Sequence, residues 1–369
     1  MNKIRTWFHW IAIFLLTAFF VACSSAPPDT EAASTQSHAV TIMTFNVENL
    51  FDNKDDEGKD DRTYFALEDK QTDEHKKACA EISLARWRDQ CLNWDWSDSN
   101  IERKLRAVAK AILQVNDGRG ADIIALQEVE NMAILERLRT EYLADANYLP
   151  AILIEGDDFR GIDVAFLTRL ELADKPVLHK NPFSGFDKKR VADTRGILQA
   201  DFVLPDGSIL TGFAVHFPAP HQPTGMRDAA YAHLSQLKAG LPADRPAFAA
   251  GDFNTTAEED RNQNMLERHA RPQWTVVHEL GCGGCKGTYY YQPTDDWSFL
   301  DMILWSPGEL SGAQATWKLS DNPYYVANRS PNQVLENGIP ARFSLPEGSG
   351  VSDHWPLVVT IESIENNAL

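Results

Sequence analysis

Acids, amides and two histidines stand at the ends of apolar, strand-like runs: Asn46, Glu48, Glu128, Asp163, His216, Asp252, Asn254, Asp301, Asp353 and His354. One carboxylate at one strand end is unremarkable. A whole set of them, spread from residue 46 to residue 354, is better explained by a single rim onto which several strands open. Hard divalent cations take carboxylate and amide oxygens, and phosphoryl transfer needs charge neutralisation and a positioned proton carrier. The set supplies all three.

Such a rim requires buried strands to carry it. Continuous apolar runs predict strands over residues 39–45, 122–127, 162–167, 197–204, 209–217, 247–250, 299–305 and 357–361. Ile101, Leu105, Val108, Ala109, Ile112 and Leu113 fall at helical spacing, with Ser99 or Asn100 able to cap. Asn131 is placed to cap a helix carrying Met132, Leu135 and Leu138, and further helices are expected over 226–239 and 257–267. Strands and helices mixed in this way predict a layered α/β (α+β) domain over residues 39–369. The acidic run 52–61 has the composition of a calcium loop, but Lys54 occupies a ligand position and the closing Glu is missing, so it reads as a solvated loop. With residues 63–98, which carry Trp87, Trp94 and Trp96, it forms an insertion at about 52–98 expected to be stapled onto the main body.

The motifs Thr44-Phe45-Asn46-Val47-Glu48-Asn49, Leu126-Gln127-Glu128-Val129, Val215-His216, Gly251-Asp252-Phe253-Asn254 and Ser352-Asp353-His354-Trp355-Pro356 resemble, in this order, those of the endonuclease/exonuclease/phosphatase superfamily. Pancreatic-type deoxyribonucleases and apurinic endonucleases belong to it. The resemblance spans residues 39 to about 362 and, through Arg160-Gly161-Ile162-Asp163-Val164-Ala165, looks most like exported bacterial members. It implies a four-layer α/β/β/α sandwich of two packed mixed sheets flanked by helices. It also implies Glu128 as the principal ligand of Mg²⁺ or Mn²⁺, Asn46 beside it, Glu48 touching the metal or its water, and Asp353 completing the site. Structural Ca²⁺ is a further candidate ion. By the same resemblance Asp252 orients the attacking water, Asn254 and Asn46 hold the phosphate, and His354 handles a proton while Asp301 orients it. His216 is similar to the second histidine of the deoxyribonuclease branch, with Asp163 as its implied carboxylate partner. Arg195 falls where deoxyribonucleases place a phosphate-contacting arginine.

The chain's 369 residues carry 35 Lys+Arg against 53 Asp+Glu, a net charge of −18 that argues against a basic nucleic-acid coat protein. The amino terminus reads as a lipoprotein signal over residues 1–22: Lys3 and Arg5, an apolar stretch, then Ala22-Cys23-Ser24-Ser25. Lipidation at Cys23 would leave a flexible tether over 23–38 and tie the protein to a membrane of the cell envelope, the outer membrane if Ser24 is read by the Gram-negative sorting pattern. Export would leave four cysteines in an oxidising compartment, with Cys79–Cys91 and Cys282–Cys285 the preferred pairing of three.

The reaction expected is metal-dependent phosphodiester hydrolysis, most simply by an endonuclease on DNA or RNA, by a monomer and through in-line attack of water. A phosphoesterase acting on phospholipid, nucleotide or inositol phosphate is the alternative. A non-catalytic surface-binding lipoprotein is the third reading.

Overall fold

Apolar runs bounded by turns give the strands of a computed structural model that describes residues 38–282, 284–308 and 317–364. The leader 1–22, Cys23 and the tether up to residue 37 lie outside the described residues. The first sheet begins with β1 (Ala39–Leu50), β2 (Ile123–Val129), β3 (Ile152–Leu153) and β4 (Asp163–Thr168). The second takes β5 (Val177–His179), β6 (Ile197–Val203), β7 (Ile209–His216), β8 (Ala247–Asp252) and β9 (Thr275–Val276). A hairpin of β10 (Tyr289–Tyr291) and β11 (Asp296–Ser298) precedes β12 (Asp301–Ser306), and the chain returns to the first sheet with β13 (Trp317–Val326) and β14 (Leu357–Ser363).

The strand orders are β13-β14-β1-β2-β4-β3 and β5-β6-β7-β8-β12-β9. Each sheet has one parallel pair at its centre, β1 with β2 and β7 with β8, flanked by antiparallel neighbours. The C-terminal ends of β1, β2, β7 and β8 and the N-terminal ends of β4, β12 and β14 therefore open together, which is the rim the sequence predicts.

Three apolar layers hold the two sheets and their helices in an α/β/β/α stack. Between the sheets lie Ile42, Ile123, Val164, Phe166, Phe202, Phe248, Ile303 and Val359 among others, all buried. The rings of Phe166, Phe202 and Phe248 meet there at 5.3–6.3 Å, and each such burial contributes about 1.5–3 kcal/mol. Gly212 on β7 makes the room: a Cβ at that position would sit 2.5 Å from Phe248 and 2.7 Å from Phe202. On the outer face of the first sheet the helix Asp98–Leu113 lays down Ile101, Leu105, Val108 and Ile112 against Phe45, Ile124 and Leu126. Its cap is Ser97, two residues before the earlier of the expected caps. On the far side the helix Thr224–Ala239 buries Met226, Ala230, Tyr231 and Leu234 against Phe213, Val215 and Leu304.

The insertion folds as two helices, Asp73–Ala80 and Ala85–Asn93, joined by the Cys79–Cys91 disulfide. Trp96 anchors it: its indole N–H donates to the Phe51 carbonyl at 3.0 Å while its ring packs edge-on against Tyr64 and Phe343. Cys282 and Cys285 form the second disulfide.

Candidate active site

In the second sheet the ladder itself aligns the polar residues. His216 on β7 stands beside Asp252 on β8, and Asp252 beside Asp301 on β12, in continuous register. Gly251 lets β7 approach, since a Cβ there would lie 1.9 Å from the Val215 carbonyl oxygen. In the first sheet the polar residues leave the ladder instead. Pairing of β1 with β2 shifts between Asn46 and Leu50, and pairing of β2 with β4 shifts between Gln127 and Val129. Glu48, Asn49 and Glu128 take left-handed backbone angles (φ 52°, 61° and 64°), as does Asn254 (φ 51°). Such conformations cost non-glycine residues on the order of 1–2 kcal/mol each and cluster at functional sites. Local hydrogen bonds offset the cost: Glu48 N–H donates to Asn46 Oδ1 (3.0 Å), Asn49 N–H to Glu128 Oε2 (3.0 Å) and Asn254 N–H to Asp252 Oδ1 (2.8 Å).

The two sheets meet at Asn46, whose amide donates to Glu128 Oε1 at 3.3 Å and to Asp252 Oδ2 at 3.1 Å. His354 completes the floor from the turn before β14. Its Nδ1 lies 2.7 Å from Asp301 Oδ2, leaving Nε2 4.0 Å from Asp252 Oδ2 and 3.9 Å from Asp353 Oδ1. Burial works against a charged His354, but the carboxylates of Asp301, Asp353 and Asp252 override it and hold the imidazole well above its ordinary value. Burial also lifts Asp252 to about 7, with Asp301 adding to the rise and His354 opposing it. A carboxylate poised near neutrality thus faces a charged imidazole.

His216 is the opposite case. Burial first, and then the positive charges of Arg195, Arg160 and His354, hold it well below its usual value. Its Nε2 lies 3.6 Å from Asp252 Oδ2 and 4.0 Å from Glu128 Oε1, and its buried Nδ1 has no hydrogen-bond partner among the described residues. The expected Asp163–His216 pair is therefore not formed. Asp163 Oδ1 instead accepts the Gly156 N–H at 2.9 Å, and burial raises its carboxyl to about 7. Arg195 also departs from expectation: its buried guanidinium pairs with Asp158 at 3.1 Å and reaches the site as a charge behind His216 rather than as an open phosphate fork. Asn254 lies at the floor, its amide donating to the Phe217 carbonyl at 3.0 Å.

Glu48 and Asp353 share a cation that the sequence does not reveal. Arg342 bonds Glu48 Oε1 at 2.6 Å and Asp353 Oδ2 more closely still. The second oxygen of Glu48 accepts the N–H groups of Asp353 (3.0 Å) and Phe343 (3.3 Å). Burial and the neighbouring Asp353 lift Glu48 to about 7, against Arg342 and the buried Lys104. Glu128, by contrast, has no Lys or Arg in contact among the described residues: its direct partners are the Asn46 amide and the Asn49 N–H. Of the expected metal ligands it is the one left open to a divalent ion.

Two further groups border the floor. Tyr289 on β10 packs its ring 4.9 Å from that of His354, and Arg160 lies near enough for Glu128 to raise its pKa against burial. Arg160 stands in the quoted Arg-Gly-Ile-Asp signature, and Tyr289 in an aromatic run whose spacing carries no catalytic meaning. Arg342 lies in a loop without period, where nothing in the sequence marks it.

The Endonuclease/Exonuclease/phosphatase family matches residues 43–354 of the chain. No curated protein matches it. Among solved structures, the chain is similar to an endonuclease/exonuclease/phosphatase family protein from Bacteroides thetaiotaomicron, at 17% identity over 89% of this chain and 98% of that one, with a TM-score of 0.55. It is similar to D. rerio TDP2 in complex with a single-strand DNA product, at 16% identity over 88% and 98% of the chains and a TM-score of 0.52. A mannosyl-6-phosphatase from Bacteroides thetaiotaomicron gives 17%, 88%, 100% and 0.52. These likenesses establish the four-layer fold.

Proposed function

The chain belongs to the endonuclease/exonuclease/phosphatase family, and from that premise we propose that it is a divalent-metal-dependent phosphodiesterase, an endonuclease hydrolysing DNA or RNA. The observation that carries this reading is the Asn46 amide tying Glu128 to Asp252 while the charged His354 faces Asp252 from Asp301. A carboxylate with amide and N–H partners but no Lys or Arg in contact among the described residues fits Mg²⁺ or Mn²⁺ on Glu128, with Asn46 beside it. Glu48 and Asp353 would join that ion only as Arg342 yields. When bound, the ion neutralises phosphate charge and polarises the ester for attack.

The chain's own residues supply the rest. Asp252 holds the attacking water and takes its proton as the oxygen–phosphorus bond forms. His354, fixed by Asp301, directs Nε2 at the same centre as a charged donor to the phosphoryl group or the departing oxygen. Neutral His216 stands on the far side of Asp252, and Asn254 confines the phosphate. Nicking of supercoiled plasmid by the purified protein tests the reading. Activity should require Mg²⁺, stop with chelator and fall about 10³-fold or more in Asp252→Ala; a folded variant that still nicks would sink the mechanism.

The β10–β11 hairpin favours a second reading. Tyr290, Trp297 and Trp355 pack in a row beside the site and Tyr291 is half exposed, a surface suited to a phosphoester carrying a flat or apolar group. Failure to nick nucleic acid, with hydrolysis of a phospholipid, nucleotide or inositol phosphate, would move the assignment there. Lipidation at Cys23 would hold either enzyme at the envelope membrane. Cys23→Ala should then shift the protein from the membrane to the soluble fraction.

A further inference from the structure

Tyr64 lies in the first turn of the insertion, Arg62–Tyr64, and is held from several sides. Its N–H donates to the Asp61 carbonyl at 2.7 Å. The carbonyls on either side of it are also engaged: Thr63 accepts from Lys70 Nζ at 2.6 Å, and Phe65 accepts the Trp96 N–H at 3.1 Å. Lys70 is only 1% exposed, so a buried ammonium is committed to the backbone beside Tyr64. The Tyr64 ring stacks on Phe51 at 3.9 Å, with 10° between the planes, and meets Trp96 edge-on at 5.2 Å. Those contacts leave the phenol little freedom.

Phe51 sets where that ring stands. It follows Leu50, which pairs with Val129 beyond the register shift, so the stack lies beside the strand ends that carry Glu48 and Glu128. On the other side Trp96 packs edge-on against Phe343, whose N–H donates to Glu48 Oε2. The charges acting on the Tyr64 hydroxyl are accordingly those of the cleft. Burial above all, with Glu128 and Glu48 acting against Arg160 and Arg342, holds the phenol above its ordinary value, so the oxygen keeps its proton at neutral pH. Yet this O–H has no hydrogen-bond partner among the described residues, and the side chain is half-buried, so the donor opens to the cleft. Packing alone would be served by phenylalanine. A side chain fixed everywhere but at its polar tip is preorganised to present that tip.

We propose that the insertion forms a wall of the cleft and that Tyr64 is its substrate-contacting residue, its hydroxyl donating a hydrogen bond to a phosphoryl oxygen of the bound ester. A neutral O–H suits the place. It donates to an anionic oxygen without adding a positive charge that would compete for Glu128. The contact rests on the phosphoesterase reading but not on nucleic acid as the substrate, because it recognises the phosphoryl group alone.

The test is calorimetric titration of inorganic phosphate into the full protein at saturating Mg²⁺, wild type beside Tyr64→Phe, with the Mg²⁺ affinity and unfolding temperature of each. Tyr64→Phe should weaken phosphate binding about tenfold, the loss of one hydrogen bond to a charged group. Its Mg²⁺ affinity and unfolding temperature should match wild type, because the stack on Phe51 and Trp96 is kept. With bis(p-nitrophenyl) phosphate as substrate, kcat/KM should fall by a similar factor. The proposal is overturned if Mg²⁺-loaded wild type binds no phosphate or if Tyr64→Phe binds it as wild type does. It is also overturned if the variant loses Mg²⁺ or unfolds early in step with the phosphate, which would mark a structural role. Wild type that binds phosphate through Tyr64 yet cleaves no DNA or RNA would refute the nuclease reading and leave this contact standing. Nucleic-acid cleavage that Tyr64→Phe leaves untouched would do the reverse. Should Tyr64→Phe not fold, Tyr64→Leu, which also lacks the hydroxyl, decides in the same terms.

Discussion

The two sheets share one plan, a central parallel pair between antiparallel neighbours, yet they deliver their polar residues differently. The second sheet keeps His216, Asp252 and Asp301 in unbroken register. The first breaks register and turns Glu48, Asn49 and Glu128 out through left-handed residues. Register places side chains at fixed spacing, close enough to trade protons and shift one another's pKa. A broken ladder aims a carboxylate away from its neighbours, where an ion can reach it. In the proposed reaction the second sheet is thus the proton-handling side and the first the ion-facing side, joined by the Asn46 amide. Within the first sheet the loop-borne Arg342 neutralises Glu48 but leaves Glu128 alone, so the open negative charge is concentrated on one residue.

The strongest challenge to this division is made in the second sheet. Asp252→Ala should cost about 10³-fold or more in kcat, and His354→Ala about 10²–10³-fold, at unchanged fold by circular dichroism. Retained turnover in either would remove the proton-handling side. Asp301→Asn sharpens the comparison. It should lower kcat about tenfold and, because Asp301 helps hold His354 charged, lower the imidazole pKa. The alkaline limb of the kcat/KM profile should therefore move to lower pH, and an unmoved limb would show that His354 does not act as the charged donor.

Arg342→Ala probes the first sheet. Freed from their cation, Glu48 and Asp353 should strengthen ion binding, so the Mg²⁺ concentration for half-maximal activity should fall about three- to tenfold. A rise would mean that Arg342 organises the ion site instead of competing with it.

The smallest effect is expected from Asp163, which the ladder places at the start of β4 but which contacts neither histidine. Its folded pKa of about 7 lies above the unfolded value, so the unfolded chain releases this proton first, and wild type loses stability as pH rises from about 4 to about 7. Asp163→Asn should therefore melt higher than wild type at pH 8, by on the order of 1–3 kcal/mol of stability, and gain nothing at pH 4. An equal effect at both pH values would contradict the buried-acid account.

Much of this was legible in the sequence because buried strands are written as continuous apolar runs, and all eight expected strands form. The elements that escaped lack that signal. β3 and β9 are two residues long, β5 is three, and β13 is an edge strand of mixed polarity containing Pro323. The expected helix over 257–267 is cut at Asn264, which takes a left-handed conformation and separates Ala257–Gln263 from Met265–His269. Strand-end reasoning located the rim, since it needs only the chain direction. It failed on Asp163 with His216, and on Arg195, because which side chains touch depends on the packing of two sheets and on partners such as Gly156 and Asp158. Arg342 was invisible for the same reason, as an arginine in an irregular loop acquires meaning only from the two acids it meets. The acidic loop is largely solvated as its composition predicts, and only the burial of Asp61 escaped, because composition does not report burial.

The most direct test of the account is the Mg²⁺ dependence of plasmid nicking by Glu128→Gln beside wild type. Expected is loss of activity at Mg²⁺ concentrations that saturate wild type, with any recovery requiring at least about tenfold more metal. Nicking by Glu128→Gln at the wild-type rate and the wild-type Mg²⁺ concentration would contradict it, because the carboxylate that the first sheet turns into the cleft would then not be where the ion works.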